Sequence, residues 1–243
     1  MRTAYISHPV CHKHDTGEGH PENARRLTAI EDRLIAAGLF DVLRYIDAPE
    51  VTEHQLLRVH KQGYLEALNS MLPESGYAHL DADTVISPDS LNAARRAAGA
   101  VVVAVDLVMS GELDSAFCSV RPPGHHAESD RALGFCLYNN IAVGAAHALT
   151  EYGLNRVAIV DFDVHQGNGT EEIFNHDKRV LFCSTFQHPF YPFTPLLANT
   201  ANRVSVALEA SAKSEAFRAA VTDHWLPALE KFQPEIVFVS AGF

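Results

Sequence analysis

Asp161, Asp163 and His165 occupy every second position of the stretch IVDFDVHQGNGT, residues 159–170. In an extended chain alternate side chains point the same way. The spacing therefore aims two carboxylates and one imidazole at a single point and turns Phe162 and Val164 into the packing. Such a donor set suits a divalent metal, zinc among the commonest. The same residues also read as a strand-end aspartate capping a helix, with His165 merely polar. Gly-Asn-Gly-Thr then supplies the turn that releases the chain into a helix.

A second group lies in VRPPGHHAESDRALGF, residues 120–135. Pro122, Pro123 and Gly124 make a stiff loop with His125 and His126 just past it. Adjacent imidazoles titrate near neutrality and serve proton transfer, given neighbours that fix their tautomers, for which Asp161 and Asn168 are candidates. They read equally as further metal ligands or as a surface pair. A third loop, STFQHPFYPFTP (184–195), carries Phe186, Phe190, Tyr191 and Phe193, which either wall an apolar slot or cap the core.

These loops need a scaffold. Helical spacing runs over 22–37 and ends at Gly38; another helix is expected over 52–71, opening on Thr52 with Gln55 at capping-box distance. A long helix is expected from Ser87, as N-cap, to Gly111. Beyond it the pattern alternates: strands at 114–119, 156–161, 179–185, 203–208 and 235–240, and helices at 139–152, 170–175 and 214–232. Alternation of this kind predicts an α/β fold, mainly a parallel sheet flanked by helices. The runs VAIV, VLFC and IVFVS read as strands buried on both faces. In such sheets ligands bind beyond the carboxyl ends of the strands, where the three loops fall.

The bulk properties narrow the field. The 243 residues are 47% hydrophobic and 20% charged, with a formal charge of −11. One domain spanning 1–243 is expected, without repeats or linkers. The acidic balance and the lack of a basic stripe argue against nucleic acid, and no apolar run is long enough to cross a membrane. The four cysteines form no C-x-x-C pair and read as reduced thiols of a cytoplasmic protein. The oligomeric state is left open.

Taken together, GHPENARRL, RPPGHHA, GFC, DFDVHQGNGT and SAGF resemble the histone deacetylase family, in its bacterial class II-like or acetylpolyamine-amidohydrolase branch. The resemblance runs from about residue 17 to the end. It implies the arginase–deacetylase fold and a zinc-dependent hydrolysis of acetyl amides of lysine or polyamines. It implies zinc on Asp163 and His165, and a potassium ion using Asp161 and Ser184. It makes His126 the general base and acid, with His125 in support, Asp161 orienting His125 and Asn168 orienting His126. Phe135 and Tyr191 would wall the substrate slot beside Gly134, and Arg26 would line an inner channel. The family's third zinc ligand, an aspartate, directly follows SAGF, and its carbonyl-polarising Tyr or His lies further on. The chain is thus expected to lack its last part and, as written, to be inactive. Gln166 stands where many members have His, and YPFTP replaces a more usual YPGTG. The alternatives are an arginase-like di-manganese ureohydrolase and a non-catalytic acyl-binding relative.

Overall fold

The computed structural model of the chain describes residues 2–242. The fold comprises two compact units, Met1–His147 and Ala148–Phe243.

In the first unit, β1 (Thr3–Ser7) lies between β2 (Arg44–Asp47) and β5 (Ser115–Cys118) in a parallel three-stranded sheet. Ala4 and Ile6 of β1 pack with Ala48, Ala100 and Leu113 in a buried cluster. Helices α1 (Arg25–Ala36), α2 (Glu53–Leu56), α3 (Gln62–Met71) and α4 (Ser90–Met109) belong to this unit, with a short antiparallel ladder of β3 (Ala78–His79) and β4 (Val85–Ile86). The division between the units falls within α5 (Asn140–Glu151).

The second unit is built on a parallel four-stranded sheet. Its order is β8 (Arg203–Leu208), β7 (Val180–Gln187), β6 (Val157–Asp161), β9 (Ile236–Ser240). Ala158, Val160, Leu181 and Cys183 from β6 and β7 bury against Trp225. Trp225 closes a π-helical turn, Val221–Trp225, between α7 (Ser214–Ala220) and α8 (Leu226–Phe232). A short helix, α6 (Asn168–Phe174), follows β6. Parallel strands alternating with helices meet the sequence expectation.

Several local expectations are corrected. The helix expected over 52–71 is two helices. Thr52 and Gln55 do form the capping box, but α2 ends at Leu56, and the Lys61 amide bonds Ser129 O at 2.8 Å rather than a helical carbonyl. The long helix begins at Ser90, not Ser87, whose own amide donates to Ser90 Oγ. Helix α1 begins at Arg25, whose amide donates to Asn23 Oδ1, and Glu22 ahead of it joins a buried ion pair. Strand β9 is not covered on both faces: Val237 and Val239 are exposed, as befits an edge strand. All four cysteines are free. Among the described residues no helix is long and apolar enough to cross a membrane.

Candidate functional site

The first unit presents the paired histidines. Arg121, at the head of their loop, is fully buried. Its guanidinium grips Glu22 through two bonds of 2.7 and 2.6 Å and donates to Cys11 O at 2.8 Å. Such a fork-to-carboxylate pair is rigid as well as strong. Asn140 Nδ2 donates to Pro122 O, and Asn139 Nδ2 to Ala127 O, so the start of α5 holds the loop on both sides of the histidines. Gly124 is required between them, since a Cβ there would lie 2.5 Å from the Asn140 nitrogen. On this support His125 and His126 are buried, with ring centroids 4.0 Å apart. The structure thus places the predicted pair as an ordered, sheltered couple, not a surface one.

Gly134 and Phe135 are the central residues of a tight turn closed by Leu133 and Cys136. Both have positive φ, 54° and 69°, a conformation that glycine accepts and phenylalanine rarely adopts. The Phe135 amide is held by Thr84 Oγ1, and its ring meets His20 edge-on at 4.9 Å. A side chain fixed in this way suits a wall. Arg26 is committed to Glu22, at 3.1 Å.

The second unit presents the D-x-D-x-H loop. Strand β6 ends at Asp161, so the alternation expected to run on to His165 stops there, and Phe162 and Val164 are exposed rather than packed. Convergence is achieved differently. Asp161 Oδ1 accepts from the Asp163 amide, and Asp163 Oδ1 accepts from the His165 amide at 2.7 Å. These successive side-chain turns bring Asp163 Oδ1 to 2.9 Å from His165 Nδ1. Gly242 lies against them: a Cβ there would stand 1.7 Å from Asp163 Oδ2. The glycine of the Ser-Ala-Gly-Phe motif is therefore a clearance for the aspartate; Phe243 falls outside the described residues.

A carboxylate oxygen facing an imidazole nitrogen is a fitting donor pair for zinc. Among the described residues no group of three or more His, Cys, Asp or Glu comes together as a metal cluster. Asp161 and Ser184 are neighbours in register at the ends of β6 and β7, both fully buried. Ser184 Oγ has no hydrogen-bond partner among the described residues, which is costly unless a cation or another polar group satisfies it.

Gly167 closes an inverse γ-turn, with φ −76°, ψ 62° and the Asn168 amide bonded to Gln166 O. It launches α6 with Asn168 at its first position. Among the loop aromatics, Phe186 is buried in the core. Phe190 stacks on His165 at 5.0 Å and 10°, and Tyr191 meets the same imidazole edge-on at 5.9 Å. The sequence reading missed this stacking, together with Glu22 as the partner of Arg121; only the clustering of Glu22 and Arg26 in GHPENARRL hinted at the latter. Burial pushes the Cys183 thiol up to about 12, so it stays protonated and is no nucleophile at neutral pH.

This combination of parallel sheets, flanking helices and strand-end acid and imidazole groups defines an α/β protein of the arginase–deacetylase fold. The model of the histone deacetylase domain matches residues 20–243, and the chain belongs to that family. It is 40% identical over 237 residues to the uncharacterized protein slr0245 of Synechocystis, covering 95% of this chain and 77% of that one. It is 38% identical over 230 residues to a histone deacetylase-like amidohydrolase of Pseudomonas aeruginosa, covering 92% of this chain and 60% of the relative. The crystal structure of the HDA15 HD domain superposes with a TM-score of 0.93 at 35% identity, over 100% of this chain and 73% of that one.

Proposed function

We propose that the protein is a zinc-dependent deacetylase acting on acetyl amides of lysine side chains or polyamines. The observation that carries this reading is the facing pair Asp163 and His165, 2.9 Å apart at the carboxyl end of β6, in a chain of this family. Asp163 and His165 would hold the zinc. When bound, zinc polarises the amide carbonyl and acidifies water. His126 takes a proton from the attacking water as general base and returns it to the leaving amine as general acid. His125 supports the charge that His126 acquires. Asp161 orients His125 and, with Ser184, would hold a potassium ion; Asn168 orients His126. Phe135 and Tyr191, beside Gly134, flank the substrate's aliphatic stem. We read both units as parts of one deacetylase domain, which the span of the family match supports.

The test is hydrolysis of an acetyl-lysine peptide and an acetylpolyamine by the zinc-loaded protein, in a form that includes the aspartate and the Tyr or His that the family carries after SAGF, and by its His126→Ala variant. General acid–base help is worth about 10²–10⁴-fold, and a loss of that size in kcat/KM is expected. Near-full hydrolysis by the variant refutes the role of His126. Metal analysis gives one zinc per chain on this reading and two manganese ions on the ureohydrolase reading.

A further inference from the structure

Gln166 directly follows the proposed zinc ligand His165, yet its side chain is buried and turned to another task. Its Nε2 donates to Glu171 Oε2 at 2.8 Å, and its Oε1 accepts from Thr194 Oγ1, also at 2.8 Å. Glu171 lies in α6 and is itself buried against Arg203, whose Nε is 3.3 Å from Glu171 Oε1. Arg203 then donates to Asn175 Oδ1 and to Ala198 O, both at 2.6 Å. Two routes thus run from the Glu171 carboxylate to the aromatic loop after β7, one through Gln166 to Thr194 and one through Arg203 to Ala198.

The segment between them carries the groups that touch His165. Phe190 stacks on the imidazole and Tyr191 meets it at the edge. The loop ends are pinned, His188 N to Leu208 O and Asn199 Oδ1 to the Ser205 amide. Thr194 is the bonded side chain next to the aromatic run, where Phe193 is largely exposed.

We propose that Gln166 is a positioning residue that holds the Phe190–Tyr191 loop on His165. Only a side chain that donates on one side and accepts on the other can join a carboxylate to a hydroxyl proton, and the amide of glutamine does both. The consequence for substrate rests on the deacetylase reading: loosening the loop weakens binding of the acyl-amine stem without disabling the proton transfers.

The experiment compares the parent protein with Gln166→Met, Thr194→Val, the double variant and Gln166→His, by hydrogen exchange of residues 188–199 and, in a form that includes the aspartate and the Tyr or His that the family carries after SAGF, by steady-state kinetics on an acetyl-lysine peptide. Methionine keeps the volume and removes both bonds. Losing a hydrogen bond of typical strength should speed loop exchange about tenfold. KM should rise several-fold with kcat nearly unchanged, the pattern of lost uniform binding. Thr194→Val cuts the same link without touching Glu171, so it should reproduce the loop effect while exchange in the core strands stays as in the parent. The double variant should exchange no faster than the more affected single one, and Gln166→His, which can also donate and accept, should restore slow exchange. Unchanged loop exchange in Gln166→Met, or additive effects in the double variant, overturns the proposal. Failure of the parent protein to hydrolyse the peptide overturns the deacetylase reading instead, and the exchange rates still decide whether Gln166 holds the loop.

Discussion

Two residues far apart in sequence show how the candidate site depends on single side chains. Gly242 leaves the room that the Asp163 carboxylate occupies, and a methyl group there would stand only 1.7 Å from Asp163 Oδ2. Gly242→Ala should push Asp163 away from His165. Disturbing the support of a metal ligand typically costs 10–100-fold in affinity, so zinc titration calorimetry should show at least about a tenfold weaker site. Glu22 plays the corresponding part under the histidine loop. Burial alone would raise its carboxyl, but the bond to Arg121, with the charges of Arg121 and Arg26, outweighs that and holds it below the usual carboxylate range. Glu22→Gln keeps the shape and leaves the buried Arg121 charge without its counter-ion. Removing one partner of a buried pair costs about 3–5 kcal/mol, and urea unfolding of the variant should show a loss of that order.

At the scale of elements, α2 is only four residues long and depends on its cap. The Thr52 hydroxyl accepts from the Gln55 amide, and the Gln55 side chain accepts from the Thr52 amide. Thr52→Ala should cost about 1 kcal/mol, visible as a lower urea midpoint. This cap was legible in the sequence because its logic is local. Strand β6 was legible because Val-Ala-Ile-Val is an apolar run bounded by turn residues. Strand β2, Arg-Tyr-Ile-Asp, was not: three of its four residues are exposed, and only pairing with β1 makes it a strand. The two-residue strands β3 and β4 are too short to show a period. The site divides in the same way. Residue types and spacing were enough to single out Asp163, His165, His125 and His126. The clearance at Gly242 and the links of Gln166 to Thr194 and of Glu171 to Arg203 join residues that only tertiary packing brings together, and the side-chain turns that bring Asp163 onto His165 begin where the strand alternation stops.

For the whole molecule, stability should depend on pH through histidines that the fold keeps neutral. His60 is buried, and burial, opposed by its bonds to backbone groups, lowers its pKa to about 4. The geometry explains why: Nε2 accepts the Asn139 amide at 2.9 Å, while Nδ1 faces Glu128 O at 3.0 Å. A second ring proton would point at an N–H. His14 is likewise buried and lowered to about 4. In the unfolded chain these groups titrate near 6.5, so between pH 6.5 and 4 the unfolded state binds more protons and stability falls as the solution is acidified. At about 1.4 kcal/mol per pKa unit, His60 alone should remove about 3 kcal/mol between neutrality and pH 4. His60→Gln retains a donor and an acceptor but does not titrate. Its urea stability should therefore decline less steeply than that of the parent, by about that amount over the same interval. A constant penalty from imperfect packing of glutamine cancels in the comparison, because only the difference between the two pH values is read. Equal declines would mean that His60 takes up its proton inside the fold, against the Asn139 amide, and that its burial does not govern the acid limb of stability.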